Sequence, residues 1–297
     1  MSDSKQGLSI LYFAVFLLAL NGLFSKIIPL DAVSVTQLRS VLAALALFLF
    51  ALARSRSYKL NGVREYVGVY FIGVIMGLHW ISFFHSMQVS TVAIGMLSLF
   101  TYPIITVLLE PLHTKQRIQM SDVFAGILVL VGVLVMVKDD LSYVDNTTMQ
   151  GVVWGVVSAF LFSVRNLFQK YYYPYVPSDS LILHQVIAIA VMLILFVDFS
   201  AVTKLEMSDW LFLVLLGVVS TAAAHSLLSY SLKHFPAKSI AMISCMQPIF
   251  ATLFAWLLLA EVPTQSVVIG GLIIVSVALY ESLKKAGFKW QWKKKTN

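Results

Sequence analysis

The chain has 297 residues, of which 59% are hydrophobic and 12% are charged, and its mean hydropathy is +0.87. A soluble domain has about a quarter charged residues, so this composition excludes a soluble globule and favours a membrane protein. The formal charge of +7 comes from short basic clusters between apolar runs, a pattern of membrane topology and not of nucleic-acid binding. The single cysteine, Cys245, excludes an internal disulfide.

Apolar runs long enough to cross a bilayer as helices follow one another along the chain. They cover residues 8–28, 33–53, 66–87, 91–110, 121–138, 149–170, 180–198, 209–232, 237–260 and 264–283. Residues 8–20 also resemble the apolar part of a signal peptide, but no small-residue cleavage site follows, so we predict a retained first helix. The sequence predicts an all-α membrane protein with ten transmembrane helices.

The distribution of lysine and arginine predicts the orientation of these helices. With a cytoplasmic N-terminus, sixteen basic residues fall on the inner side and three on the outer side, and only Arg39 and Arg165 fall within helices. Because basic residues accumulate on the cytoplasmic side, we predict that both termini are cytoplasmic and that the protein lies in the cell (plasma or inner) membrane. The basic tail, residues 285–297, is then a cytoplasmic anchor to anionic membrane lipid.

An internal repeat is indicated by a constant offset of 145 residues. At this offset Pro103 falls on Pro248 and Gly126 falls on Gly271, without a gap. We predict two five-helix copies, residues 7–145 and 146–284. Because five is odd, the second copy enters the membrane inverted, an arrangement typical of secondary transporters whose substrate site lies near the midplane between the repeats.

The second half of the chain carries the most recognisable motif. QPIFATLFAWLLLAEVPT, residues 247–264, contains Pro248 and, thirteen residues further on, Glu261. Together with an arginine early in the second helix, Arg39, it resembles the EamA-type family of the drug/metabolite transporter superfamily. In the first half the same spacing reaches Gln116, where relatives of this type commonly have glutamate. The resemblance implies a ten-helix exporter or facilitator of small metabolites, such as amino acids and related compounds.

Polar groups inside a membrane are costly and mark candidate functional residues. The predicted central cavity is lined mainly by helices 1, 3, 4, 6, 8 and 9. Its predicted substrate-binding residues are Asn21, Arg39, His79, Trp80, Phe83, Tyr102, His225 and Gln247.

Several of these residues have structural alternatives. Each histidine could instead bond a backbone carbonyl inside the bundle, and Asn21 could join two helices. Arg39 could bind a substrate carboxylate, pair with an acidic side chain, or extend its charge to the membrane surface. Pro103 and Pro248 remove a helical hydrogen bond and are predicted hinges, although a static kink is the alternative. Glu110 is expected at the inner membrane surface in an ion pair, for which Arg165 is the candidate partner.

The chain has no acidic residue near the middle of a predicted helix. We therefore expect a facilitator, or an exchanger whose coupling depends on His79 or His225, since histidine titrates near neutral pH. No metal or cofactor motif occurs, so we expect no cofactor. We expect a small-molecule substrate, and we expect the protein to be a monomer or a homodimer. The alternative function is an integral membrane enzyme or lipid-interacting protein that uses His79, His85 and His225.

Overall fold

The computed structural model describes residues 2–136, 138, 146–259, 262 and 264–285. These residues form helices joined by short turns, and no strand occurs among them. The first half contains α1 (Ser2–Leu18), α2 (Leu20–Ile27), α3 (Ala32–Ala53), α4 (Val63–Val89), α5 (Val92–Leu99), α6 (Tyr102–Thr114) and α7 (Met120–Met136).

The second half is also built of helices. It contains α8 (Asn146–Tyr172), α9 (Ser178–Leu193), the short α10 (Phe199–Val202), α11 (Met207–Leu215), a π-helix (Leu216–Ala223), α12 (Ala224–His234), α13 (Ala237–Ser244), α14 (Gln247–Leu259) and α15 (Gln265–Lys285). Glu261 and most of the predicted basic tail lie outside the described residues.

Most of these helical segments are long enough to cross a membrane. Eight of the described segments are long and apolar enough to cross a membrane, and two shorter apolar helices, Gln6–Leu18 and Met120–Met136, occupy the first and fifth predicted spans. The prediction of an all-helical, multi-pass membrane protein is confirmed. The count of ten crossings and the orientation of the termini stay predictions.

Two spans are interrupted at equivalent points of the two halves. The fourth span breaks at Phe100–Thr101, directly before Tyr102 and Pro103, and the ninth breaks at Cys245–Met246, directly before Gln247 and Pro248. Because proline has no N–H and its ring crowds the preceding turn, a helix kinks at this point. The sequence offset of 145 residues thus corresponds to matched breaks in the structure.

Helix packing repeats the same internal symmetry. Helix α4 of the first half packs along α8 of the second, and the equivalent α12 of the second half packs along α1 of the first. Helices α3 and α9 pack together, as do α7 and α15, and each of these pairs joins equivalent members of the two halves. The two halves are therefore interleaved, and the centre of the bundle is formed by both.

Side-chain polarity is distributed as a lipid environment requires. Leu45, Phe48 and Leu52 of α3 are exposed on the outside of the bundle, whereas Gln37 and Arg39 of the same helix are buried. Polar side chains cannot be hydrated in hydrocarbon, so they turn inward, where other helices supply hydrogen-bonding partners. This inversion of the pattern of a soluble protein concentrates hydrogen-bonding groups at the centre.

Glu110 joins three helices at one end of the bundle. Its carboxylate accepts hydrogen bonds from Tyr171 Oη at 2.7 Å and from the backbone N–H groups of Ala237 at 2.8 Å and Lys238 at 3.0 Å. The sequence favoured an ion pair with Arg165, and that prediction is wrong. The unpaired N–H groups at the start of α13 offer the carboxylate an alternative that the linear sequence does not reveal.

The contact between α7 and α15 can be tested at two neighbouring glycines. A methyl group on Gly270 would lie 2.7 Å from the backbone nitrogen of Met136 and would overlap the carbonyl oxygen of Gly132, whereas one on Gly271 would first meet Ile249 Cγ1, at 3.7 Å. We expect Gly270→Ala to lower the free energy of unfolding by about 1–3 kcal/mol, because α15 must move away from α7.

Gly271→Ala is the matched control, and its stability should stay the same or rise, because alanine favours helix over glycine. Thermal unfolding of both variants in the same detergent measures the difference. Equal unfolding midpoints would show that the helices do not approach each other as closely as described.

Candidate functional site

A small cavity of about 30 Å³ lies where the interrupted helices meet. All eight predicted substrate-binding residues line it, and the structure adds Leu18, Leu99 and Phe162. The lining comes from α1 to α6 in the first half and from α8, α12 and α14 in the second. The structure thus brings these side chains together, while their contact with a substrate stays a prediction.

Arg39 is the charged residue of this lining. Its side chain is fully buried, with Nε donating to Thr221 Oγ1 at 2.9 Å and Nη2 donating to Asn21 Oδ1 at 3.1 Å. The guanidinium carbon lies 4.2 Å from the ring centroid of Trp80 and 5.4 Å from that of Phe84. Within the part of the chain that the structure covers, Arg39 has no acidic partner and does not extend its charge to the membrane surface. Two of the alternatives given for it in the sequence analysis are therefore not observed.

Local helix irregularities place both acceptors of Arg39. Asn21 follows the break at Ala19, and its Nδ2 donates to the carbonyl oxygen of Leu18 at 2.9 Å. Thr221 lies in the π-helix, where its Oγ1 also donates to Leu216 O at 2.7 Å. A π-turn carries an extra residue and so changes the direction of the side chains that follow.

Thr221 is a site residue that the sequence analysis missed. Its signal is weak, because residues 220–224 read STAAA and show only a run of small side chains. Small residues allow close helix contact in membranes, and Gly217 in the same π-helix lies against Arg39 and Leu42 of α3.

His79 forms hydrogen bonds through its ring nitrogen Nδ1, whereas its other ring nitrogen, Nε2, is left as an acceptor. Its Nδ1 lies 3.0 Å from Ser158 O and 2.7 Å from Ser158 Oγ. A carbonyl oxygen can only accept, so the proton belongs on Nδ1, and in the neutral ring Nε2 is an acceptor. The ring stacks on Phe162 at 4.6 Å between centroids. The histidine therefore bonds a carbonyl in the bundle, as the structural alternative stated, and also lines the cavity.

His225 is the least satisfied group of the site. Both ring nitrogens are buried, and neither has a hydrogen-bonding partner among the described residues. Its ring packs against Trp80 at 5.1 Å between centroids, on the same indole that covers Arg39. Buried polar groups in native proteins nearly always have partners, so an unpaired imidazole on the cavity wall is an exception.

Tyr102 and Gln247 occupy equivalent positions before the two prolines, but their surroundings differ. The hydroxyl of Tyr102 donates to the carbonyl oxygen of Ala241 at 2.9 Å, so it ties α6 to α13. Its ring lies edge-on to Phe162 at 5.1 Å. Gln247 lines the cavity through its nearly buried side chain. Pro103 and Pro248 follow these residues and do not line the cavity themselves.

A second buried arginine lies outside the cavity lining. Arg165 donates to Gln185 Oε1 from Nε at 3.0 Å and from Nη2 at 2.7 Å, and to Asn166 Oδ1 from Nη1 at 2.9 Å. Asn166 is the equivalent of Asn21 at the repeat offset, so each half contains an asparagine that accepts from a buried arginine. His184, the equivalent of Arg39, instead bonds the carbonyl oxygen of Tyr58 at 2.7 Å.

The three histidines of the enzymatic alternative do not form one cluster. His79 and His225 line the cavity, whereas His85 is half-buried against Trp154, at 5.2 Å between ring centroids. Within the described residues, no group of three or more histidine, cysteine or acidic side chains could hold a metal ion.

Comparison with known proteins gives consistent results across the chain. The model of the EamA-like transporter family matches residues 5–138 and again residues 149–280. An uncharacterized transporter of Helicobacter pylori strain J99 is 25% identical over 94% of this chain and 97% of its own. An uncharacterized transporter of Archaeoglobus fulgidus is 24% identical over 93% and 96%, and YxxF of Bacillus subtilis, also an uncharacterized transporter, is 23% identical over 77% and 74%.

A protein of known crystal structure has the same fold. It superposes with a TM-score of 0.78 over 96% of this chain and 99% of its own, at 18% sequence identity.

The helical fold, its central cavity and these relatives together define a multi-pass membrane transporter. The chain belongs to the EamA-like transporter family, within the drug/metabolite transporter superfamily, and the family model matches it twice, once in each repeat. The resemblance noted in the sequence is confirmed.

The bond between Arg39 and the π-helix can be tested at Thr221. Thr221→Val keeps the shape of the side chain but leaves the Nε–H of Arg39 buried without an acceptor, which costs about 1–3 kcal/mol. Thr221→Ser keeps the hydroxyl and should lose less, since it removes only one methyl group. Thermal unfolding in detergent compares the two, and a valine variant at least as stable as the serine variant would contradict the described bond.

Proposed function

We propose that this protein is a secondary transporter, an exporter or facilitator, of small organic metabolites such as amino acids or related compounds. The observation that carries the proposal is the central cavity, which is lined by side chains of both repeats at the points where spans are broken. In inverted-repeat transporters the substrate binds at such a place, near the midplane and beside broken helices.

The proposal includes ten crossings, with the two repeats inverted and both termini in the cytoplasm. Met120–Met136 and Gln6–Leu18 are apolar and pack against α15 and α12 respectively. Five crossings in each repeat, together with the excess of basic residues on one side, support the inverted orientation.

Alternating access follows from the size of the cavity. A cavity of about 30 Å³ has room for only one or two water molecules, whereas small-molecule sites occupy roughly 300–1,000 Å³. A metabolite can therefore bind only after the halves move apart on one side. Glu110 and Tyr102 hold α6 to α13 by hydrogen bonds, and these bonds would break when that side opens.

The lining of the cavity also supports the expected energetics. It contains two histidines and one arginine, and neither aspartate nor glutamate is part of it. A carboxylate-driven antiporter needs such a group in its pathway, so the proposed protein is a facilitator or an exchanger that depends on His79 or His225.

Flux through sealed proteoliposomes tests the function. We expect at least one radiolabelled compound from a panel of amino acids, nucleosides and organic acids to cross the membrane unchanged, faster than in protein-free liposomes. Chemical conversion of a panel compound in detergent, without any gradient and without flux in liposomes, would instead support the membrane enzyme.

The two prolines are proposed hinges, and alanine variants test this role. Pro103→Ala and Pro248→Ala restore a backbone N–H that can bond Leu99 O or Ser244 O and so straighten the span. We expect each variant to slow flux by about tenfold, which corresponds to roughly 1.4 kcal/mol on the barrier, while substrate still raises the unfolding temperature. The assay is initial flux in proteoliposomes at equal protein content.

Pro111→Ala is the control, because Pro111 lies in the same helix α6 but away from the break. Its flux should stay close to that of the unmodified protein. Loss of flux in the Pro111 variant alone, with normal flux in the other two, would refute the hinge role.

A further inference from the structure

We propose that the transported compound is a net-anionic carboxylate with an apolar or aromatic body, and that Arg39 binds its carboxylate in the central cavity. This inference rests on the proposed transport function and specifies the substrate of the same site. It narrows the substrates from amino acids in general to acids without an ammonium group.

The first reason is the charge of the cavity. Of the eleven lining residues, Arg39 alone carries a fixed charge. The salt bridges among the described residues join Arg56 to Asp179 and Lys238 to Asp122, so neither includes Arg39. A buried charge without a counterion is strongly unfavourable, and a carboxylate in the cavity would supply the missing negative charge.

The second reason is the unused bonding capacity of the guanidinium. Arginine has five N–H donors, and Arg39 uses Nε toward Thr221 and Nη2 toward Asn21. Nη1 makes no hydrogen bond to any residue that the structure describes. Trp80 and Phe84 lie over the guanidinium, so these partners fix its orientation while leaving N–H donors to spare. Arginine binds carboxylates through two parallel N–H donors of this kind.

The third reason is the unpaired imidazole of His225. It shares the Trp80 ring with Arg39 and lines the same cavity, and both of its nitrogens lack partners in the described chain. Either neutral tautomer of histidine presents one N–H donor, and the amide of Gln247 adds two more on the cavity wall. Donors from two repeats are therefore available for one anionic group.

The remaining walls define the rest of the ligand. Phe83, Phe162 and Trp80 supply aromatic surface, which suits an apolar or aromatic body. An ammonium group would find no carboxylate in this lining and would have to lose its hydration without compensation. His79 Nε2 is a neutral acceptor and does not provide a countercharge. The cavity thus favours an acid over the amino acid that has the same side chain.

Three commercially available probes share a phenylethyl body and differ in charge: 3-phenylpropionate, phenylalanine and 2-phenylethylamine. Binding to the unmodified protein is measured by thermal shift in detergent and by flux in proteoliposomes. We expect 3-phenylpropionate to bind at least about tenfold more tightly than phenylalanine and phenylethylamine to bind least.

Equal or tighter binding of phenylalanine or phenylethylamine overturns the inference, and so does the absence of binding by 3-phenylpropionate and by its shorter and longer homologues. In either case, flux of any other compound across the liposomes would leave the proposed transport function standing. Absence of flux for every compound would instead refute transport itself, so the two failures are distinguishable.

Charge variants provide a second test, and the first of them leaves Arg39 in place. Gln247→Glu adds a carboxylate to the cavity with little change in size, and we expect it to weaken 3-phenylpropionate binding relative to phenylethylamine. Arg39→Gln should lose the preference for the acid, and Arg39→Lys should keep part of it.

Arg165→Gln is the matched control, because Arg165 is equally buried but does not line the cavity. It should alter stability without changing the ratio of acid to amine binding. A loss of the acid preference in the Arg165 variant, together with an unchanged preference in the Gln247 variant, would refute the role of this cavity in anion recognition.

Discussion

The guanidinium of Arg39 lies on the indole of Trp80 and donates to Asn21 and Thr221. These residues come from four different spans, and the two acceptors come from opposite repeats. A buried charge must be surrounded by dipoles and π-electrons if it is to remain in a membrane interior. The broken first span, the π-helix of the eighth span and the aromatic face of α4 meet this requirement together, and their convergence forms the central cavity.

The hydropathy of the sequence was enough to predict an all-helical, multi-pass membrane protein, and its prolines indicated where the fourth and ninth predicted spans are interrupted. A proline removes its hydrogen bond wherever it stands, so Pro103 and Pro248 indicate a kink without any tertiary information. The eight predicted lining residues could be identified because polar side chains deep in apolar runs are costly in lipid and therefore face the interior of the bundle.

The sequence could not predict the partners of those residues. Thr221 resembles any other small polar residue in an apolar run, and only the π-helix turns its hydroxyl toward Arg39. Glu110 and Arg165 were expected near the same membrane surface and have opposite charges, yet each is satisfied by neutral groups on other helices. The choice of hydrogen-bonding partner depends on how far each helix is rotated about its axis. Helix breaks and π-turns change this rotation by amounts that the periodicity of the sequence does not encode.

Cys245 lies in the break of the ninth span, and its thiol is completely buried, donating to Ala241 O at 3.4 Å. It is the single cysteine of the chain, and the neighbouring Tyr102 bonds the same carbonyl oxygen. A change that separates α6 from α13 would therefore uncover the protein's own thiol at the point of movement. Under the proposed alternating access, this thiol would serve as a native chemical reporter, which needs no engineered label and no background cysteines to remove.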